Sequence, residues 1–333
     1  MTQTMRTRFV GTGAALPARV VPNAEIEDRL GLERGWIART GVQERRVLGP
    51  DASLVDLAER AARDALAAAD LRPDALDAVV VATTSAPYQF PSLACLLHAR
   101  LGLRAVPAFD VAAACAGFPY ALTVADQAVR AGDYRRVLVV GADCLTRFVD
   151  RDPATASLFG DGAGAVVVVG EPEPPATPAR AVQGILATRL RALGELWPIL
   201  YVKAGARRRE ELEGDDADPW MRMQGAEVFR AAVEHLVALT REVLAAAGLA
   251  AADVALVVPH QANLRIVRMM LQLLAIPEER AAINLARYGN TSAASIPIAL
   301  AEAVRAGRLA AGDVVIMNGV GGGITAGAIL ARW

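Results

Sequence analysis

Short apolar runs that end in glycine or polar residues recur along the first half of this chain. The runs at 75–84, 136–143 and 162–170 are rich in valine and alanine, and a further apolar run leads into Cys115. Short continuous runs of this kind are typical of strands that are buried on both faces. The apolar pattern after Cys115 predicts a helix that runs to Arg130. Cys115 therefore lies where a buried strand turns directly into a helix.

The second half of the chain repeats this order of elements. Strands are predicted at 253–260, 282–285, 312–319 and 325–330, and a helix is predicted from Ser292. The offset between matching strands is about 175 residues for the first three pairs, which indicates a repeat. The pattern predicts an α/β protein made of two duplicated βα halves. A single long doubly wound sheet is the alternative.

The repeat divides the chain into three parts. The first half is expected at 1–172, the second half at 225–333, and a connection with a lid or cap insertion at 173–224. The connection contains a proline-rich turn at 171–175 and a charge run at 206–216. This charge run is either a solvated loop or part of a lid whose arginines meet an acidic partner.

Composition narrows the class of protein. Of 333 residues, 54% are hydrophobic and 5% aromatic, which suits helices packed on both faces of buried sheets. The net charge of −1 gives no reason to expect nucleic acid or a membrane surface as a partner. The three cysteines lack metal-ligand spacing, so we expect neither a metal site nor a disulfide framework. No targeting segment or membrane-spanning run is recognisable, and we expect a soluble, cytoplasmic protein.

Three residues whose side chains could take part in a reaction lie next to predicted strands. A thiol at a helix N-terminus, such as Cys115, is expected to favour the thiolate, which attacks carbonyl carbon. His260 directly follows a buried strand, and Asn290 lies in a glycine-containing turn before a helix. Ligand sites form at this edge of α/β sheets, and the duplication brings all three loops to one face. A packing thiol and a turn-forming asparagine are the structural alternatives.

A fourth loop, at 318–324, contains consecutive glycines that let backbone N–H groups approach a ligand, as an oxyanion hole requires. A nicotinamide-dependent oxidoreductase is the rival hypothesis. It is disfavoured because Gly11-Thr12-Gly13 lacks the third glycine of a dinucleotide loop, and the glycines at 159–164 precede a strand. A catalytically silent subunit is disfavoured because the nucleophile is present.

Three sequence blocks carry a resemblance to a known family. They read Asp110-Val-Ala-Ala-Ala-Cys115-Ala-Gly-Phe, Val258-Pro-His260-Gln-Ala-Asn-Leu-Arg265 and Gly289-Asn290-Thr-Ser-Ala-Ala-Ser295. Together they resemble the β-ketoacyl-ACP synthase III family, and the likeness extends over essentially the whole chain. The resemblance implies a thiolase-like, five-layered α-β-α-β-α fold, a homodimer, acyltransferase activity and no cofactor beyond the thioester substrates.

The residues suggest a reaction in two stages. Cys115 would take an acyl group from a thioester, with the oxyanion held by backbone N–H groups of Cys115 and, by family position, Gly322. A second thioester, which the resemblance implies is malonyl-ACP, would then lose carbon dioxide, and the enolate oxygen would accept hydrogen bonds from His260 and Asn290. The enolate carbon attacks the acyl-cysteine and starts a fatty-acid or polyketide chain. The alternative is a specialised-metabolite ketosynthase or acyltransferase that joins or transfers carrier-bound acyl chains, for example to a pyrone.

The resemblance also implies contacts to substrates and partners. Trp36 is expected to stack on the adenine of coenzyme A, and Arg39 and Thr40 to contact its phosphate and base. Asn263 is expected to contact the pantetheine arm, and Arg265 the acyl carrier protein. Phe90 is expected to reach the acyl pocket of the partner subunit. Two departures weaken the adenine contact. The spacing from Trp36 to Gly41 is one residue shorter than usual, and Pro153 replaces an arginine. The sequence leaves open whether coenzyme A or the carrier protein delivers the acyl group, and which chain length is used.

Overall fold

A computed structural model describes residues 5–149, 152–173, 183–203 and 220–333. The charge run predicted at 206–216 lies outside these residues. The strands are β1 (Met5–Ala15), β2 (Arg19–Pro22), β3 (Glu44–Val47), β4 (Ala78–Ala82), β5 (Ala108–Val111), β6 (Arg136–Cys144), β7 (Asp161–Pro172), β8 (Gly184–Ala192), β9 (Leu200–Val202), β10 (Met221–Met223), β11 (Val254–Pro259), β12 (Val314–Gly321) and β13 (Thr325–Arg332). The helices are α1 (Asn23–Leu30), α2 (Leu54–Ala68), α3 (Leu93–Leu101), α4 (Gly117–Ala131), α5 (Pro153–Ala156), α6 (Gly225–Ala246), α7 (Leu264–Leu274), α8 (Leu285–Tyr288) and α9 (Ser295–Arg305).

Two sheets with the same pairing pattern form the centre of the fold. The first has the strand order β1-β7-β6-β4-β5 and the second β8-β13-β12-β11. In both, the first three strands pair antiparallel and the strands that follow pair parallel. The prediction of two duplicated βα halves is confirmed. Strand β8 is the counterpart of β1, so part of the predicted 173–224 connection belongs to the second sheet.

The sheets and helices stack in five layers. Helices α4 and α9 lie between the sheets and pack against strands of both. Helices α2 and α3 cover the outer face of the first sheet, and α6 and α7 cover that of the second. Because both faces of each sheet are covered, the valine- and alanine-rich strands are buried on both sides, as their continuous apolar runs predict. None of the helices described here combines the length and apolar character needed to cross a membrane.

One predicted strand does not form. Residues 282–285 were expected to match β5, but only Ala281 makes a single parallel bridge, to Val257. The Gln261 side chain takes the place of a strand neighbour. Its amide nitrogen donates to the Ala282 carbonyl at 3.0 Å, and its oxygen accepts from the backbone N–H of Asn284 at 3.1 Å. A side chain that satisfies these backbone groups removes the need for a ladder.

Candidate active site

Cys115 and Ser292 lie in matching turns of the two halves. Cys115 is in the 3₁₀ turn Ala114–Ala116 that precedes α4, and Ser292 begins the 3₁₀ turn Ser292–Ala294 that precedes α9. Ala114 and Ser292 both have positive φ angles, of 46° and 52°. Such backbone strain is typical of functional sites. The turns meet, since the Ser292 hydroxyl lies 3.4 Å from Cys115 Sγ.

The expectation that the helix N-terminus makes Cys115 a thiolate is wrong for the free protein. Burial raises the pKa of the thiol to about 12, and the nearby Asp143 carboxylate also raises it, although the Ser292 hydrogen bond lowers it. The thiol is 6% exposed, and desolvation disfavours an anion more than the short turn favours it. Cys115 therefore rests as a thiol and must lose its proton during attack.

The sequence did not single out Asp143, which lies behind Cys115 at the end of β6. It is fully buried and accepts hydrogen bonds from the Thr84 N–H at 2.9 Å, the Ser85 hydroxyl at 2.7 Å and the Ala293 N–H at 3.2 Å. Burial nevertheless raises its pKa. These bonds tie both halves of the fold to the strand behind the nucleophile. The only signal in the sequence was a carboxylate at the end of a predicted strand.

His260 follows β11 and is 2% exposed. Burial lowers the pKa of its imidazole to about 3, so the ring is neutral at physiological pH. Its Nδ1 lies 2.6 Å from the hydroxyl oxygen of Ser295. Because Nδ1 is engaged inside the protein, Nε2 is the nitrogen left for a substrate.

Asn290 is held by bonds to its backbone and to its amide oxygen. Its N–H donates to the Leu158 carbonyl at 2.8 Å, and its Oδ1 accepts from the Ser292 N–H at 2.9 Å. Within the described part of the chain, no hydrogen bond occupies its NH₂ group. The geometry leaves a donor for a ligand, which agrees with the role predicted for Asn290.

The glycine loop lies directly against the nucleophile. A methyl group at Gly321 would be 2.5 Å from the Cys115 backbone nitrogen, and one at Gly319 would be 3.3 Å from the Cys115 carbonyl oxygen. The close approach therefore requires glycine at position 321. The sequence-based choice for the oxyanion hole was Gly322, which lies beside Gly321 and lines a cavity with Cys115.

Two cavities meet at Cys115. The larger one, of about 650 Å³, collects most of the predicted site residues, including Trp36, Thr40, Cys115, His260, Asn263, Arg265 and Asn290. The second, of about 360 Å³, is mainly apolar and is lined by Leu145, Phe148, Phe159, Leu200, Val202 and Met221 together with Cys115 and Gly322. A cavity leading to a nucleophile with an apolar pocket behind it suits a substrate with a polar arm and an apolar end.

Arginines cover the aromatic rings at the entrance. The Arg39 guanidinium lies 4.0 Å from the centre of the Trp36 ring, and Arg265 lies 5.5 Å from that of Phe229. Asn263 caps α7 and accepts the Arg265 N–H at 2.9 Å. The entrance therefore presents positive charge above its aromatic rings.

Phe90 is a predicted site residue that does not line these cavities. It is 84% exposed, and the neighbouring Tyr88 is 59% exposed. Neither lines the cavities at Cys115. Within a single protomer, Phe90 has no role in the site.

The fold and the site define a condensing enzyme of the thiolase type. Family models for 3-oxoacyl-[acyl-carrier-protein] synthase III match residues 109–190, and for its C-terminal part residues 244–333. The β-ketoacyl-[acyl-carrier-protein] synthase III of Aquifex aeolicus is 43% identical over 99% of this chain and 100% of its own. The β-ketoacyl-[acyl-carrier-protein] synthase III of Alkalilimnicola ehrlichii is 46% identical over 98% of this chain and 99% of its own.

Solved structures agree with the sequence matches. The crystal structure of the Aquifex aeolicus synthase III superposes with a TM-score of 0.89 at 42% identity, covering 98% of this chain and 100% of that one. The priming β-ketosynthase of the R1128 polyketide pathway gives a TM-score of 0.91 at 34% identity, covering 100% and 97%. The chain belongs to the β-ketoacyl-ACP synthase III family, and it is a carbon–carbon bond-forming acyltransferase.

Proposed function

We propose that this enzyme transfers an acyl group to Cys115 and condenses it with malonyl-ACP, releasing carbon dioxide and a β-ketoacyl thioester that starts a fatty-acid or polyketide chain. One observation carries the proposal: Cys115, His260 and Asn290 line one cavity, and Cys115 also opens onto an apolar pocket suited to an acyl chain. The acyl carrier protein is the partner that malonyl delivery requires.

In the first stage, the Cys115 sulfur attacks the thioester carbonyl. The carbon–sulfur bond to the incoming carrier breaks, and the proton of the Cys115 thiol leaves with the released thiol. Backbone N–H groups of Cys115 and Gly322 would stabilise the tetrahedral oxyanion, since donors placed where charge develops are most effective in a buried site.

In the second stage, the malonyl carboxylate leaves as carbon dioxide and its electron pair forms an enolate. Neutral donors suit this step because a base is not needed. His260, kept neutral by burial, and the Asn290 amide are such donors. The enolate carbon then attacks the acyl-cysteine, the Cys115 sulfur leaves, and a proton from solvent restores the thiol.

Intact-mass measurement tests the nucleophile. The enzyme is incubated with acyl-CoA and acyl-ACP thioesters of increasing chain length. We expect an acyl adduct on the wild type and none on Cys115→Ala. The absence of an adduct from every donor would contradict the proposed function.

A specialised ketosynthase that takes its acyl group from a carrier protein is the second candidate, and the entrance favours it. An adenine ring that stacks on the face of Trp36 covered by Arg39 must displace that guanidinium, a contact worth about 0.5–1 kcal/mol at exposed sites. The positive charge of Arg39 and Arg265 at the entrance also suits an acidic protein surface. Comparing adduct formation from the same acyl group on coenzyme A and on carrier protein separates the two candidates.

A homodimer is part of the proposal. Strand β5 is at the edge of the first sheet, its residues Ala108–Val111 are only half-buried, and the loop before α3 exposes Tyr88 and Phe90. An apolar edge strand beside exposed aromatic rings is expected to be covered by a second copy. Sedimentation at micromolar concentration tests this, and a monomer would contradict it.

A further inference from the structure

We propose that Ser295 is a positioning residue that sets which ring nitrogen of His260 carries the proton, and so makes His260 a hydrogen-bond donor toward the substrate. This inference rests on the proposed function, because decarboxylation needs an N–H at the nitrogen left for the substrate, Nε2. A neutral imidazole has only one N–H. Nδ1 must then be an acceptor, and an acceptor buried in the protein needs a donor.

Ser295 is the side chain that can supply this donor. It is the first residue of α9 and is 1% exposed. Its hydroxyl oxygen lies 2.6 Å from His260 Nδ1, 2.8 Å from the Ser292 carbonyl oxygen and 3.4 Å from the Gln261 backbone nitrogen. A hydroxyl has one proton to donate and two lone pairs with which to accept.

The three neighbours restrict where the hydroxyl proton goes. The Gln261 N–H can only donate, so it occupies a lone pair of the hydroxyl. The Ser292 carbonyl can only accept, and it already receives the Ser295 backbone N–H. A hydroxyl proton directed at His260 leaves none of these buried groups without a partner. The reverse arrangement, in which Nδ1–H donates to the hydroxyl and the hydroxyl donates to the Ser292 carbonyl, pairs them all as well. The contact to Nδ1 is the shorter of the two possible donations. The shorter contact, together with the Nε2–H that decarboxylation requires, leads us to place the Ser295 hydroxyl proton toward Nδ1 and the imidazole proton on Nε2.

The opposite arrangement has a different chemical consequence. If the hydroxyl donated to the Ser292 carbonyl, Nδ1 would carry the imidazole proton and Nε2 would present a lone pair. A lone pair repels the developing enolate oxygen instead of binding it, and Asn290 would be the remaining side-chain donor. Burial keeps the ring neutral, so the ring cannot supply both N–H groups at once.

Kinetics of Ser295→Ala test the role, with Ser295→Thr as the matched variant that retains a hydroxyl. We expect acylation of Cys115 in Ser295→Ala to stay within about twofold of wild type, and condensation with malonyl-ACP to fall by about tenfold or more through kcat. Ser295→Thr should recover most of the loss. Acylation also reports that each variant is folded. Equal condensation in Ser295→Ala and wild type would overturn the proposal.

Nitrogen NMR of ring-labelled histidine tests the tautomer directly. The chain has three histidines, so His98→Gln and His235→Gln assign the signals of His260. We expect the Nε2–H form in wild type and a new Nδ1–H population in Ser295→Ala. An Nδ1–H form in wild type, or an unchanged tautomer in Ser295→Ala, would overturn the inference. If Cys115 takes no acyl group from any donor, the proposed function fails instead, and the NMR result still stands on its own.

Discussion

At the scale of single residues, the site separates two chemical steps. In the proposed mechanism Cys115 carries the acyl group, whereas His260 and Asn290, which line the same cavity, act as hydrogen-bond donors. The proposed mechanism uses these donors only when the enolate forms. The two stages therefore depend on different side chains.

Substitution of either donor should reveal this separation. We predict that His260→Ala and Asn290→Ala retain acylation of Cys115 but lose decarboxylative condensation by about 100-fold or more, because one missing donor in a buried site has an effect of that size. Intact mass measures the first step, and carbon dioxide release from labelled malonyl-ACP measures the second. Full condensation in either variant would refute the assigned roles.

The sequence predicted the positions of the site residues, but not their protonation states or their long-range contacts. The positions of Cys115, His260 and Asn290 followed from the strand order, because each comes directly after a strand or before a helix. The pKa of Cys115 did not follow, since it depends on burial and on Asp143, and neither is visible in a local pattern. The contact between Ser295 and His260 joins residues 35 apart, and so it too required the fold.

At the scale of elements, the turn between β12 and β13 packs directly against the turn that contains Cys115. Gly321 lies so close to the backbone of Cys115 that a single methyl group would be 2.5 Å from the Cys115 nitrogen. Rearranged side chains cannot relieve such an overlap, because the methyl group would meet backbone atoms of the neighbouring turn. Relief of the overlap would require the two turns to move apart. That movement would displace the backbone N–H groups proposed for the oxyanion hole.

Gly321→Ala should therefore damage activity more than stability. We expect acylation of Cys115 to fall by about 100-fold, since the loss resembles removal of an oxyanion donor, together with a destabilisation of about 1–3 kcal/mol. Gly49→Ala is the matched control, because a methyl group there meets nothing within 4 Å. Acylation rates and urea unfolding measure both effects. Normal acylation by Gly321→Ala would contradict the close approach.

At the scale of the whole molecule, the repeat in the sequence was enough to predict two duplicated halves, whereas the five layers were implied by the family resemblance. Valine-rich strands at a fixed offset predict two equivalent halves, and the two sheets have the same pairing pattern. The prediction of a strand at 282–285 failed because the Gln261 side chain satisfies that backbone. The position of β8 in the second sheet was missed because only Gly184 and Ile185 are buried and two arginines interrupt its apolar run, unlike the runs of the interior strands.

Burial of thiols throughout this core has a consequence for stability at high pH. The pKa of Cys115 is raised by burial from 9.0 to about 12, and that of Cys144 from 9.0 to about 11. Above pH 9 the unfolded chain releases these protons while the folded protein keeps them. The folded state then binds more protons than the unfolded state, so the free energy of unfolding falls as pH rises through this range.

We predict that the free energy of unfolding decreases from pH 9 to pH 11, with Cys144 contributing up to about 1.4 kcal/mol per pH unit. Cys144→Ala should have a lower free energy of unfolding at pH 7, because it removes a buried group. Between pH 9 and pH 11, however, its free energy of unfolding should fall by less than that of wild type. Cys95→Ala is the control, because Cys95 is exposed. Urea unfolding at each pH measures the slopes. Parallel curves for wild type and Cys144→Ala would show that the Cys144 thiol loses its proton equally easily in the folded and the unfolded protein.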